Sequence, residues 1–114
     1  MIFGAHMIVH SKDADADRAF FRDTLGFKSV DVGHGWLIFT LPPAEAAVHP
    51  SEGSAHELYF MCDDLGADMA SLTTKGVACS EVQEARWGSI TEITLPGGGR
   101  IGLYQPKHAI AFER

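Results

Sequence analysis

The chain has 114 residues, enough to bury on the order of two-thirds of its unfolded surface in one domain and too few for two independent cores. Its 46% hydrophobic and 21% charged residues exclude a disordered chain. A net charge of −6 with scattered Lys and Arg argues against nucleic acid as a partner, and apolar runs such as 36–41 are far too short to span a membrane.

In chain order, a strand is predicted over 5–10. Lys12-Asp13-Ala14-Asp15 then starts a helix whose apolar positions Ala16, Phe20, Phe21 and Leu25 share one face, and Gly26 stops it. Strands follow over 27–32, 36–41 and 45–49, broken by Gly33-His34-Gly35 and by Pro42-Pro43. After a polar connection over 50–55, a strand over 57–62 leads to Asp63-Asp64. These acids cap a helix that carries Leu65, Met69 and Leu72 and ends before Gly76. Strands over 77–82, 89–95 and 100–104 complete the pattern, the last two joined by the turn Pro96-Gly97-Gly98-Gly99.

Two simpler motifs dissolve on inspection. Asp13, Asp15 and Asp17 have the spacing of a calcium loop, but Arg18 stands where that loop needs Gly and Thr24 where it needs Glu. Cys62 and Cys79 form no CxxC pair, and residues 1–9 lack the basic flank and apolar stretch of a secretion signal. Reduced thiols and a cytoplasmic protein are expected.

The order just read is one unit used twice. His6 to Asp13 reads HMIVHSKD and His56 to Asp63 reads HELYFMCD, an offset of 50 that also carries Gly26 to Gly76 and Phe27 to Val77. The expectation is a single domain over 1–114, made of modules at about 5–50 and 55–106 with a short C-terminal tail.

This β-α-β-β-β repeat, the two opening histidines, the stretch Arg18-Ala19-Phe20-Phe21-Arg22-Asp23-Thr24-Leu25-Gly26-Phe27 and the closing Arg100-Ile101-Gly102-Leu103-Tyr104 resemble the vicinal oxygen chelate superfamily. That group contains glyoxalase I, bleomycin-resistance proteins and extradiol dioxygenases. The resemblance covers nearly the whole chain and implies an α+β fold in which two βαβββ modules form a cupped half-barrel pair. It is specific for fold and weak for activity, because one fold hosts many chemistries.

Metal-dependent members place ligands on the first and last strands of each module. His6 and His56 match the first-strand positions, but Ala46 and Gly102 stand where the last-strand carboxylates would be. The resemblance therefore implies at most a weakly held divalent ion on His6 and His56, since two imidazoles leave it mostly hydrated. Glu92, in the strand before the last, is the remaining acidic candidate for a catalytic role. If both histidines face inward, strand parity puts Ile8, Leu58 and Phe60 on their faces, and Trp36, Trp87 and Tyr104 can add flat aromatic surface for a ligand.

The first functional expectation is a protein that binds a small organic molecule in an apolar cavity, its metal site degenerate. One alternative is a metal-dependent lyase, isomerase or dioxygenase using His6 and His56. Another is a resistance protein that sequesters a drug or toxin. A two-fold homodimer is expected in each case, side by side or with modules exchanged, because half-barrels this small expose apolar edges.

Overall fold

Two aspartates set where the helices begin in the computed structural model, which describes residues 6–53 and 55–112. The Asp13 carboxylate accepts the Ala16 amide at 3.2 Å and starts α1 (Ala14–Ala19). Asp64 accepts the Ala67 amide at 3.0 Å and starts α2 (Leu65–Thr74). Gly26 and Gly76, at φ of 75° and 81°, lie beyond the two helical segments, in a conformation that a side chain would strain.

The first helix does not end at Ala19. Phe20–Thr24 continues it as a π-helical turn, with the Leu25 amide donating to the Phe20 carbonyl five residues back at 3.0 Å. Neighbouring residues on an α-helix point about 100° apart. On this widened turn Phe20 and Phe21 are both buried.

The second copy closes into a sheet. Strand β3 (Tyr59–Met61) pairs in parallel with β6 (Arg100–Pro106), β6 pairs antiparallel with β5 (Gly88–Thr94), and β5 with the edge strand β4 (Gln83–Ala85). With α2 between β3 and β4, this is the expected β-α-β-β-β order. One element differs, because the strand predicted over 77–82 is reduced to a single bridge between Cys79 and Ile93. Ser80 is the reason. Its hydroxyl takes the Glu92 amide at 2.9 Å and its carbonyl takes the Thr91 hydroxyl at 2.8 Å, so side chains occupy positions that ladder bonds would use.

The first copy forms only a hairpin, β1 (Ser29–Asp31) with β2 (Leu37–Phe39), turned at Gly33, His34 and Gly35, all at positive φ. The strands predicted over 5–10 and 45–49 are absent among the described residues, and Ala5 lies outside them. In the second copy the corresponding first and last strands are paired in parallel, β3 at the sheet edge against β6. Here neither segment has a ladder partner, and an unpaired extended segment leaves its amides and carbonyls to water. Residues 6–10 are exposed throughout, and Val48 is 99% exposed.

The two copies nevertheless share one core. Phe20 and Phe21 from the first pack with Leu65, Leu72, Ile93, Leu95, Ile101 and Leu103 from the second. Phe21 meets the rings of Phe27, Phe39 and Phe60 at centroid distances of 5.5–6.4 Å. A polar tie reinforces the junction, because buried Asp17 accepts the Gly97 amide at 2.7 Å. A side chain at Gly97 would run into the Ser11 hydroxyl and the Asp17 carboxylate, so that turn needs glycine for space.

Candidate functional site

One face of the β3-β6-β5-β4 sheet is covered by the helices, and strand alternation sends the intervening residues to the other. Phe60, Ile93, Ile101 and Leu103 belong to the covered face and its core. On the opposite face the register sets two rows across three strands. Glu92, Gly102 and Tyr59 form one, and Ile90, Tyr104 and Met61 the next. A cleft of about 380 Å³ opens along these rows, lined by His56, Tyr59, Gln83, Trp87, Glu92 and Arg100 among others.

An aromatic cluster borders the cleft. The rings of Tyr59, Trp87 and Tyr104 stand 5.1–5.9 Å apart and nearly perpendicular to one another, at interplanar angles of 76–87°. Trp87 is 42% exposed, so this cluster keeps a surface open to a ligand. Gly102 makes the arrangement possible. A Cβ at that position would clash with the Cδ1–Cε1 edge of the Tyr59 ring, so Tyr59 lies directly against the Gly102 backbone.

Polar groups flank the rings on two sides. The Tyr59 hydroxyl donates to the Glu57 carboxylate at 3.2 Å, and burial followed by the Glu57 charge raises the phenol above its ordinary pKa. Glu92 faces Arg100 at 3.9 Å, both largely exposed. At the other side the Tyr104 hydroxyl lies 3.3 Å from the His108 ring, and burial, then Glu45, raises the Tyr104 phenol.

Of the residues expected in a site, the structure brings His56, Trp87 and Glu92 to this cleft, with Tyr104 in the adjoining aromatic cluster. Leu58 borders the cleft and also packs on the core, whereas Phe60 belongs to the core side. His6 and Ile8 lie in the exposed segment 6–10 and do not line the cleft. Trp36 is 61% exposed beside the first hairpin, with the Arg18 guanidinium 4.7 Å over its ring. Parity carried forward from His56 points the even residues inward. In the structure His56 precedes the ladder, and it is the odd residue Tyr59 that turns to the cleft.

Sequence reasoning thus passed over Tyr59, Glu57, Gln83 and Arg100. One signal was available: a glycine in mid-strand marks the close approach of another group, and Tyr59 is the residue that approaches Gly102.

The donor set does not fit a divalent ion. Among the described residues no three His, Cys, Asp or Glu side chains are grouped to hold one. The space beside Gly102, where a last-strand carboxylate would project, is filled by the Tyr59 ring.

No protein-family model and no curated protein matches the sequence. Solved structures do. An antibiotic binding protein from Streptomyces sp. CB03234 superposes with a TM-score of 0.70 at 28% identity, over 94% of this chain and 99% of that one. A glyoxalase/bleomycin resistance protein from the same organism is 30% identical over 85% of this chain and 95% of its own, with a TM-score of 0.60. The chain belongs to the glyoxalase/bleomycin resistance/dioxygenase superfamily. Lactoylglutathione lyase from Agrobacterium tumefaciens shares the superfamily fold at a TM-score of 0.61, but at 18% identity it speaks to fold alone. In this superfamily member no helix among the described residues is long and apolar enough to cross a membrane.

Proposed function

We propose that this superfamily member binds a planar organic molecule on the open face of the β3-β6-β5-β4 sheet, as a cytoplasmic binding protein, without a metal ion and without chemical conversion. The observation that carries the reading is the Tyr59 ring on Gly102, joined at right angles by Trp87 and Tyr104. It replaces a carboxylate position with flat apolar surface and leaves Trp87 open to receive a second flat surface. The likeness to an antibiotic binding protein, over nearly the full length of both chains, supports a sequestering role of the resistance type. His56 and Glu92 border the same cleft, so a metal-assisted reaction is the competing reading, and it requires further donors.

The same proposal includes a second copy of the chain. The accessible surface is 8781 Å², against about 6,100 Å² for a compact monomer of 12.3 kDa. The radius of gyration is 14.9 Å, against about 13 Å for a compact chain of this length. The excess surface is of the size that stable dimers bury. It includes Ile8, Val9 and Val48 on the unpaired segments and Val30 and Trp36 on the first hairpin. Two copies of the chain could supply each other's missing ladder partners within a domain built from both modules.

Metal analysis of protein purified without chelator or nickel resin, joined to fluorescence titration with a neutral planar probe such as acridone, tests the reading. The expected result is acridone binding by protein that carries far less than one metal per chain. One tightly held metal per chain, lost in His56→Ala together with acridone binding, would establish the metal-dependent alternative.

A further inference from the structure

The charges at one end of the cleft specify more than flatness. Tyr59 stands in one row with Glu92, its hydroxyl is held by Glu57, and both carboxylates act on the phenol by charge. Among the described residues Arg100 is the one Arg or Lys lining the cleft, and it meets Glu92 only at 3.9 Å, with both side chains more than half exposed. Such a pair is loosely held and worth little. His56 lines the same cleft, and Tyr59 is its remaining ionisable group. The balance of the cleft is therefore negative: two carboxylates against one guanidinium, beside an open tryptophan. Aromatic faces attract cations through their quadrupole, most strongly at Trp, and carboxylates at the rim add to that attraction.

We infer that the ligand class of this cleft is a planar aromatic cation, its flat body on Trp87 and Tyr59 and its positive nitrogen toward Glu57 and Glu92. The inference rests on the proposed binding function and adds the charge of the ligand to it. Along a strand each step advances about 3.3 Å, so the row of Tyr104 and the row of Tyr59 lie roughly 7 Å apart, about the span of a fused-ring system. A flat molecule with an amine at its edge can reach both features at once. A planar anion would meet Glu57 and Glu92 with only Arg100 to receive it.

The test uses three tricyclic probes of similar outline at neutral pH and low salt: proflavine, which is cationic, acridone, which is neutral, and anthracene-9-carboxylate, which is anionic. Wild-type protein should bind proflavine at least about tenfold more tightly than either of the others. Glu57→Gln combined with Glu92→Gln should bring proflavine to within about threefold of acridone, the loss falling far more on the cation than on the neutral probe. Asp15→Asn, which removes an acid of α1 away from the cleft, should leave all three affinities as they were. Both glutamates are exposed, so the double variant should keep its fold by near-ultraviolet dichroism. Proflavine binding no tighter than acridone, or an advantage that survives the double substitution or falls equally with Asp15→Asn, would overturn the charge assignment and leave the aromatic site standing. No binding of any of the three would instead sink the binding function on which it rests.

Discussion

The two halves of this chain begin from the same sequence pattern and finish in different states. The second copy pairs its first and last strands in parallel within a four-stranded sheet, whereas the first copy keeps only its inner hairpin and leaves the equivalent segments unpaired. The apolar pattern is not what separates them. Ile8 and Val9 are as good strand residues as Leu58 and Phe60, yet Ile8 is 67% exposed and Phe60 packs on the core. A strand is a property of a pair, and periodicity in one segment does not state where its partner is. The first copy donates its helix to the core of the second, and the surface it leaves open is where a second chain would act.

The largest expected effect tests whether the copies depend on each other. Phe20 and Phe21 are 6% and 8% exposed and sit against side chains of the second copy, and truncating a buried Phe costs about 3–5 kcal/mol. Either Phe20→Ala or Phe21→Ala should unfold the whole domain in one transition, read by chemical denaturation. If both variants kept the second copy folded with little loss of stability, the halves would be independent.

Next is assembly. Sedimentation of the wild type should give about twice the chain mass, and Ile8→Asp with Val48→Asp should weaken that dimer at least tenfold, an ionised carboxylate being costly to bury in an apolar interface. A wild-type monomer at tens of micromolar, no less stable on dilution, would mean that the unpaired segments find their partners within one chain.

A third substitution probes the closed copy at its most crowded point. Gly102→Ala drives a methyl group into the Tyr59 ring, and such overpacking costs about 1–3 kcal/mol. Tyr59→Ala in the same chain should recover part of that loss. The order matters for restoring a carboxylate: Gly102→Glu alone should displace Tyr59 without gaining metal affinity. A gain of tenfold or more in Zn²⁺ affinity by calorimetry would show that the ring yields easily.

The tie between the copies should be weaker. Asp17→Asn replaces a charged acceptor of the Gly97 amide by a neutral one, for a loss of about 1–2 kcal/mol in denaturant titration. No change would mean that the turn at Gly97 holds itself without Asp17.

The smallest effect concerns a thiol of the second copy. Burial, then the nearby Asp68, pushes the Cys62 thiol up to about 11 from its usual 9.0. Because the folded value lies above the unfolded one, the associated stability is present below pH 9 and is lost as pH rises through 11. At pH 8 Cys62 should react with iodoacetamide more slowly in the folded chain than in the unfolded chain. Equal rates would place Cys62 outside the closed copy.

Much of this arrangement was legible in the residues. Asp13 and Asp64 announced both helix starts, Gly26 and Gly76 the stops, and the paired motifs of Phe20 to Phe27 and Arg100 to Tyr104 the superfamily. The missing strands of the first copy were not legible, because pairing depends on what lies across the ladder. The site was half legible. Trp87, Tyr104 and Glu92 carry their own chemistry, but Tyr59 was hidden in the uniformly apolar run Leu58-Tyr59-Phe60-Met61, where either parity satisfies the pattern. Only the register, with Tyr59 opposite Gly102, shows which residues turn to the open face.

The central claim is that the open face of the second copy binds an aromatic ligand by its rings and not through a metal. Titration of acridone into wild type and Trp87→Ala, first in excess chelator and then with added Zn²⁺, tests it most directly. The wild-type affinity should be the same in both conditions and should fall at least about tenfold in Trp87→Ala. Binding that vanishes in chelator, returns with Zn²⁺ and persists in Trp87→Ala would contradict that claim.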